Sequence, residues 1–124
     1  MRFLTMVKMD ESMPAGPPPP ALFAAMDELG KKAEADGSMV ESGGLLPSAD
    51  GVLVTLKGGK IAVHDGPFTE AKELIGGYAI FDLRSKEEAI ERTRQFLQLH
   101  ADNWPGVEAT CEVRQIAGPD DFPG

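Results

Sequence analysis

Two segments of this sequence are apolar on both of their alternating faces, and this pattern constrains the fold more than any other feature. In residues 2–9, Phe3 and Leu4 begin two apolar faces of one extended segment, and residues 77–83 (GYAIFDL) repeat the pattern. Successive side chains of a strand point to opposite faces of its sheet. Strands of this kind therefore lie at the centre of a sheet whose two faces are both covered.

Two further segments have the spacing of amphipathic helices. We predict the first over residues 21–35, ended by Gly37, and the second over residues 85–100, where Ser85 and Glu88 form a capping box. The inner stripe of the first consists of Leu22, Met26, Leu29 and Ala33, and that of the second of Ala89, Ile90, Thr93, Phe96 and Leu97.

The remaining strands are predicted over residues 39–46, 52–57, 60–65 and 107–115, and Gly58-Gly59 forms a two-residue hairpin turn between the second and third of these. The order predicts an α+β fold: a ferredoxin-like βαβ-hairpin-βαβ subunit with an antiparallel sheet and two helices on one face. The central strands are apolar on the other face too. A second copy of the chain is the simplest cover for it, so we expect a homodimer with the sheets packed face to face.

The length of 124 residues suits one domain over residues 1–124, with a proline-rich loop at 10–20 and a loose tail from about residue 117. The net charge of −8 argues against nucleic acid as a partner. The single cysteine, Cys111, is expected to be an inert core thiol, and this cysteine usage indicates a reducing compartment. No apolar run approaches the length of a membrane span. We therefore expect a cytoplasmic protein with no membrane partner.

The connection after the hairpin, HDGPFTEAKELIGGY from His64 to Tyr78, is far longer than a hairpin turn requires. Asp, Gly and Pro favour turns, so Asp65 can be interpreted as a residue that shapes the turn. In that interpretation, Phe68 folds back after the turn as an apolar plug. The charged residues that follow are either a solvated loop or groups that orient a small polar ligand. Tyr78 is either a core residue or a donor pointing into a cleft. The two glycines before it indicate a bulge or a close backbone approach.

The two histidines have different interpretations. His64 suits proton transfer near neutral pH. However, adjacent residues of a strand point to opposite faces, so it cannot pair with Asp65 unless the strand has already broken into the turn. His100 lies in the last turn of the second helix, where a cation suits the helix dipole, and is interpreted as structural. No metal-ligand spacing and no nucleotide-binding pattern occurs, so neither a metal nor a cofactor is predicted.

The stretch DGPFTEAKELIGGY (65–78) resembles the signature of the DGPF group within the YCII-related proteins, and the likeness extends over nearly the whole chain. The resemblance implies a ferredoxin-like subunit that dimerises into an α/β barrel, with a polar cleft at Asp65. It implies no settled activity, although relatives are often encoded beside extracytoplasmic-function sigma factors. The chain departs from the family in its proline-rich loop, and at Ala79, where a bulky residue often follows the tyrosine.

Two functions follow as expectations. The first is a small enzyme that performs acid–base chemistry on a small polar metabolite near the dimer interface, with Asp65 and His64 as catalytic residues. The alternative is a non-catalytic module that binds a small molecule or a protein, linked to sigma-factor regulation. The predicted ligand-binding residues are Gly66, Pro67, Phe68, Glu70, Lys72, Glu73 and Tyr78.

Overall fold

The structure, a computed structural model, describes residues 1–68 and 74–122. The helices and strands follow the predicted order: β1 (Arg2–Met9), α1 (Pro20–Ala35), β2 (Met39–Gly44), β3 (Val52–Lys57), β4 (Lys60–Asp65), β5 (Leu74–Asp82), α2 (Lys86–Asn103) and β6 (Thr110–Gln115). Short 3-10 turns occupy Ser48–Asp50 and Pro119–Asp121. Neither described helix has the length and apolar character that crossing a membrane requires.

The main sheet has the strand order β2-β5-β1-β6, and all neighbours are antiparallel. The other two strands, β3 and β4, form a separate two-stranded hairpin. The fold is therefore ferredoxin-like α+β, with a hairpin inserted between β2 and β5. The two segments that are apolar on both faces, β1 and most of β5, are the two inner strands, as predicted.

Several element boundaries were predicted wrongly. The second strand ends at Gly44 instead of residue 46. The fifth begins at residue 74 instead of 77, because β1 is long enough to pair Met9 with Leu74. The second helix continues to residue 103. The last strand begins at residue 110 instead of 107, because the Val107 amide donates to the Trp104 carbonyl and holds the chain in a turn.

Both helices lie on the sheet face that carries Phe3, where Phe3, Leu83 and Ala89 form the buried core with Phe81 and Val113 against them. The inner stripe of α1 is as predicted. That of α2 was predicted wrongly at Ile90, which is 41% exposed because one helical residue turns it about 100° away from buried Ala89. Buried His100 completes the stripe instead.

The two ends of α2 are held by different contacts. The Ser85 hydroxyl accepts from the Glu88 amide at 3.1 Å, but the Glu88 carboxylate accepts from the amide of Arg84 instead of that of Ser85, so only half of the predicted capping box forms. At the other end, the Trp104 amide donates to the His100 carbonyl at 2.8 Å and ends the helix.

The end of α1 is tied to α2 through Arg92. Its guanidinium donates to the Ser38 hydroxyl at 3.0 Å and to the Asp36 carboxylate at 3.2 Å. The Ser38 amide also donates to Asp36, at 2.8 Å. These contacts with Ser38 and Arg92 lower the pKa of the Asp36 carboxyl.

The hairpin is amphipathic, and all twelve of its strand residues are exposed. Cross-strand partners share a face. The pairing of Val54 with Val63 and of Leu56 with Ile61 therefore gives one apolar face, completed by Val52. The opposite face carries Leu53, Thr55, Lys57, Lys60, Ala62 and His64.

The sheet face away from Phe3 carries Leu4, Met6 and Ile80, all half-buried. Neither described helix lies on this face. Beside this apolar strip, Lys8 donates to Glu112 at 2.6 Å. The central strands are therefore apolar on both faces, as predicted.

Candidate functional site

The DGPF segment closes the base of the hairpin. The Gly66 amide donates to the Gly51 carbonyl at 2.9 Å, and the Gly66–Pro67 peptide bond is cis. A Cβ atom at Gly66 would overlap the backbone carbonyl of Ser48, so no other residue fits there without a shift of the backbone. The Phe68 ring lies against Gly51, about 3.5 Å from the position a Cβ atom would take. The segment therefore has the turn geometry that its sequence predicts, including the return of Phe68.

Ser48 connects this turn to the proline-rich loop. Its hydroxyl accepts from the Phe68 amide at 3.2 Å and donates to the Glu11 carboxylate. Its amide donates to the other carboxylate oxygen of Glu11 at 2.7 Å. We call these contacts the Glu11–Ser48 latch. It holds together three segments that are distant in sequence: the loop after β1, the turn before β3 and the segment after β4.

The two predicted catalytic residues end β4 at the base of the hairpin, and both are exposed. His64 pairs with Leu53 and Asp65 with Val52. Their side chains therefore lie on opposite faces of the hairpin, as strand geometry predicts. The predicted ligand-binding residues Glu70, Lys72 and Glu73 lie outside the described residues.

Tyr78 is held on the main sheet. Its hydroxyl donates to the Glu41 carboxylate at 3.0 Å, and this contact raises the pKa of the phenol. Its ring lies 3.0 Å from the position a Cβ atom would take at Gly43, so the glycine makes room for the ring. The register of β1 and β5 shifts between Val7 and Lys8 and leaves Gly76 unpaired, which is the bulge that the paired glycines indicated.

A cavity of about 560 Å³ lies between the main sheet and the two helices. Its walls come from β1 and β5 on one side, with Thr5, Val7 and Ala79, and from the helices on the other, with Leu22, Met26 and Phe96. We call this space the helix–sheet cavity. Of the predicted site residues in the described part of the chain, Tyr78 alone borders it. Its side chain shares the sheet face of Met6, opposite Thr5.

The lining of the helix–sheet cavity is mostly apolar, and its polar groups are largely engaged by the protein. Arg92 binds Ser38 and Asp36. The Thr93 hydroxyl donates to the Ala89 carbonyl at 2.8 Å. His100 is 5% exposed, and its Nδ1 lies 2.9 Å from the Phe96 carbonyl. Trp104, 3% exposed, closes the same region with its indole nitrogen 3.4 Å from the Ala15 carbonyl. The arrangement suits an apolar molecule with few polar atoms.

A family model for the YCII-related domain matches residues 1–116. The chain belongs to the YCII-related family. A search of the curated proteins finds no match.

The cysteine and the metal-ligating side chains of this YCII-related chain offer no further site among the described residues. Burial raises the pKa of the Cys111 thiol to about 11, so little of the reactive thiolate forms at neutral pH. Within residues 1–68 and 74–122, no three His, Cys, Asp or Glu side chains stand close enough together to hold a metal ion.

The helix–sheet cavity and the Glu11–Ser48 latch were not predicted from the sequence. A signal for the cavity does exist: Gly30 and Ala33 of α1 and Gly77 and Ala79 of β5 all border it. Small side chains on facing elements leave space between them. The latch has no comparable signal, because Glu11 and Ser48 are 37 residues apart and each is an ordinary surface residue type.

Proposed function

We propose that this YCII-related chain binds a small, mainly apolar molecule in the helix–sheet cavity. The observation that carries the proposal is the cavity itself: about 560 Å³ of space in the layer where a domain of this size normally has its core. Ligand pockets typically enclose roughly 300–1,000 Å³ and are lined mainly by apolar side chains with a few polar groups. This corresponds to the small-molecule form of the alternative function derived from the sequence.

The DGPF segment has a supporting role in this proposal. Leu45, Leu46 and Pro47 border the cavity and lead directly into Ser48. Ser48 is fixed by Glu11 and by the Phe68 amide. The motif therefore braces one wall of the cavity through the Glu11–Ser48 latch. A ligand-responsive module of this kind would suit the regulatory setting that neighbouring sigma-factor genes suggest for relatives.

The proposal is tested by titrating the protein with 1-naphthol and 1-methylnaphthalene, two apolar probes of similar size. Binding is measured by equilibrium dialysis, because both naphthalene probes absorb and emit in the same ultraviolet range as Trp104 and would mask its emission. A probe at a hundred times its dissociation constant should raise the free energy of unfolding by about 2.7 kcal/mol. The proposal would be contradicted if neither probe is retained in dialysis and neither changes the melting temperature.

An Asp65→Asn variant separates this function from an acid–base enzyme. Asp65 does not border the cavity, so the variant should bind both probes with the wild-type affinity. If Asp65 were instead part of the binding site, the substitution would weaken binding. The Asp65→Asn melting temperature, measured without probe, controls for a loss of the turn.

A small enzyme acting on a polar metabolite is the second candidate. The observation that favours it is the exposure of both Asp65 and His64 at one end of β4, where solvent can supply and accept protons. Because their side chains lie on opposite faces, each would act separately. Once a turnover assay exists, Asp65→Asn and His64→Gln should each lower turnover with little change in stability.

We also propose that the chain forms a homodimer in the cytoplasm, with Leu4, Met6 and Ile80 at the interface. The support is the half-buried apolar strip on the sheet face away from the helices. An Ile80→Lys variant should sediment as a monomer, whereas Ile90→Lys, an equal change on exposed helix surface, should stay dimeric. A wild-type protein that is monomeric at micromolar concentration would refute the dimer.

A further inference from the structure

The ring of His100 is a polar group of the helix–sheet cavity that has a free bonding position. Its Nδ1 lies 2.9 Å from the Phe96 carbonyl, which can only accept a hydrogen bond. Nδ1 therefore carries the hydrogen, and in the neutral ring Nε2 holds a lone pair. The ring is further fixed by Phe96, whose centroid lies 4.4 Å away.

Nε2 faces accessible space. Within the described part of the chain it has no hydrogen-bond partner. Every fully buried side-chain nitrogen or oxygen among the described residues does have a partner. Nε2 is therefore not fully buried, although the whole residue is only 5% exposed. His100 borders the helix–sheet cavity, so that space is where a bound molecule would meet its ring.

We infer that His100 Nε2 accepts a hydrogen bond from the ligand, and that the ligand is therefore an apolar molecule with one hydroxyl or N–H group, such as a phenol or a hydrophobic alcohol. This inference rests on the proposed function and names the class of its ligand. A bound ligand covers Nε2, and an acceptor that is covered without receiving a hydrogen bond is costly, so the site discriminates against analogues that lack the donor.

The other polar side chains around the cavity fit this role less well. The guanidinium of Arg92 is occupied by Ser38 and Asp36 and can only donate. The Tyr78 hydroxyl donates to Glu41, and its side chain stands on the opposite sheet face. The Thr93 oxygen is a rival acceptor, because its hydrogen is used on Ala89. The hydroxyl of buried Thr5 is a second rival that borders the cavity from β1, whereas Ser42 and Gln95, which also border it, are exposed.

The test compares 1-naphthol with 1-methylnaphthalene, which replaces the hydroxyl with a methyl group of similar size. The quantity measured is the ratio of their dissociation constants, obtained by equilibrium dialysis in wild type and variants. In His100→Phe, the preference for 1-naphthol should fall about five- to tenfold relative to wild type, which is the range of one hydrogen bond. Binding of 1-methylnaphthalene should persist, because the apolar lining remains.

Three further variants keep the inference testable if His100→Phe folds poorly. His100→Gln retains an acceptor and should keep part of the preference. Thr93→Val and Thr5→Val each remove a rival acceptor and should leave the preference unchanged. A ratio that is the same in wild type and His100→Phe, or that is lost in Thr93→Val or Thr5→Val instead, would overturn the role of His100 while leaving the cavity as a binding site. If wild type binds neither probe, the proposed function itself fails.

Discussion

Filling the helix–sheet cavity from β5 should stabilise the protein and prevent ligand binding. Ala79 pairs with Thr5, a cavity-lining residue, so its side chain points toward the helices. Ala79→Leu adds three carbon atoms to that space. At about 0.8 kcal/mol for each buried CH₂ group, the gain is at most about 2.4 kcal/mol. Ordering a leucine side chain costs about 0.5–1 kcal/mol, which leaves a net gain of about 1.5 kcal/mol.

A matched control is available on the hairpin. Ala62 is exposed on β4, so Ala62→Leu makes the same chemical change where little apolar surface becomes buried. Its effect on the free energy of unfolding should stay within about 0.5 kcal/mol. Both variants would be compared with wild type by urea denaturation and by titration with 1-naphthol.

The two assays must agree for the reasoning to hold. Ala79→Leu should weaken 1-naphthol binding at least about tenfold, equivalent to about 1.4 kcal/mol, while Ala62→Leu should leave it unchanged. Unaltered 1-naphthol affinity in Ala79→Leu would show that the probe binds elsewhere. If Ala79→Leu is less stable than Ala62→Leu, no usable space lies beside Ala79.

Three other experiments test separate features. Gly66→Ala should lower the free energy of unfolding by at least about 2 kcal/mol, because its Cβ atom would overlap a backbone carbonyl. Gly30→Ala, the control in α1, should raise the free energy of unfolding by about 0.5–1 kcal/mol, since the added methyl group lies 3.6 Å from a flexible methionine. Similar effects of the two substitutions in urea denaturation would contradict this glycine geometry. In the folded protein, Cys111 should react with iodoacetamide at pH 8 about 100-fold more slowly than in the urea-unfolded chain, because burial raises its pKa from an ordinary 9.0 to about 11. Equal rates in the two states would disprove the burial of the thiol. Asp36→Asn should be less stable than wild type at pH 7, and the difference in the free energy of unfolding should disappear on acidification. The pKa of Asp36 is lower in the folded protein than its ordinary value of 3.8, so its charge stabilises the fold above pH 3.8. This stability is lost as the pH falls through the pKa of the folded state. A difference between Asp36→Asn and wild type that does not change with pH would mean that the charge of Asp36 has no part in it.

The arrangement of the sheet was predictable because it depends on local periodicity. The alternation at Phe3 and Leu4 already required cover on two faces, and this placed β1 between two neighbours. The turn chemistry of Gly66 and Phe68 was equally local. The inward position predicted for Ile90 was wrong because Ala89 takes the direction toward the sheet and Ile90 lies about 100° around the helix from it. Nothing local indicates which of these two adjacent apolar residues faces inward.

The candidate site was less predictable, since it depends on contacts between distant segments. The cavity arises where small residues of α1 meet small residues of β5. No single residue in the sequence indicates such a cavity, because it depends on which segments face each other. His100 was interpreted through the helix dipole because a histidine is not counted in an apolar stripe, although its spacing from Ala89, Thr93 and Phe96 fits one. Its burial follows from the ring's packing against Phe96.

The hairpin has a consequence for how such a domain can change during evolution. A backbone hydrogen bond joins residues 51 and 66, so the two ends of the inserted hairpin are held together at its base. The main sheet and its strand order do not include β3 or β4. Lineages can therefore lengthen, shorten or recompose residues 52–65 and acquire new recognition surfaces, while the helices and the cavity beneath them are inherited unchanged.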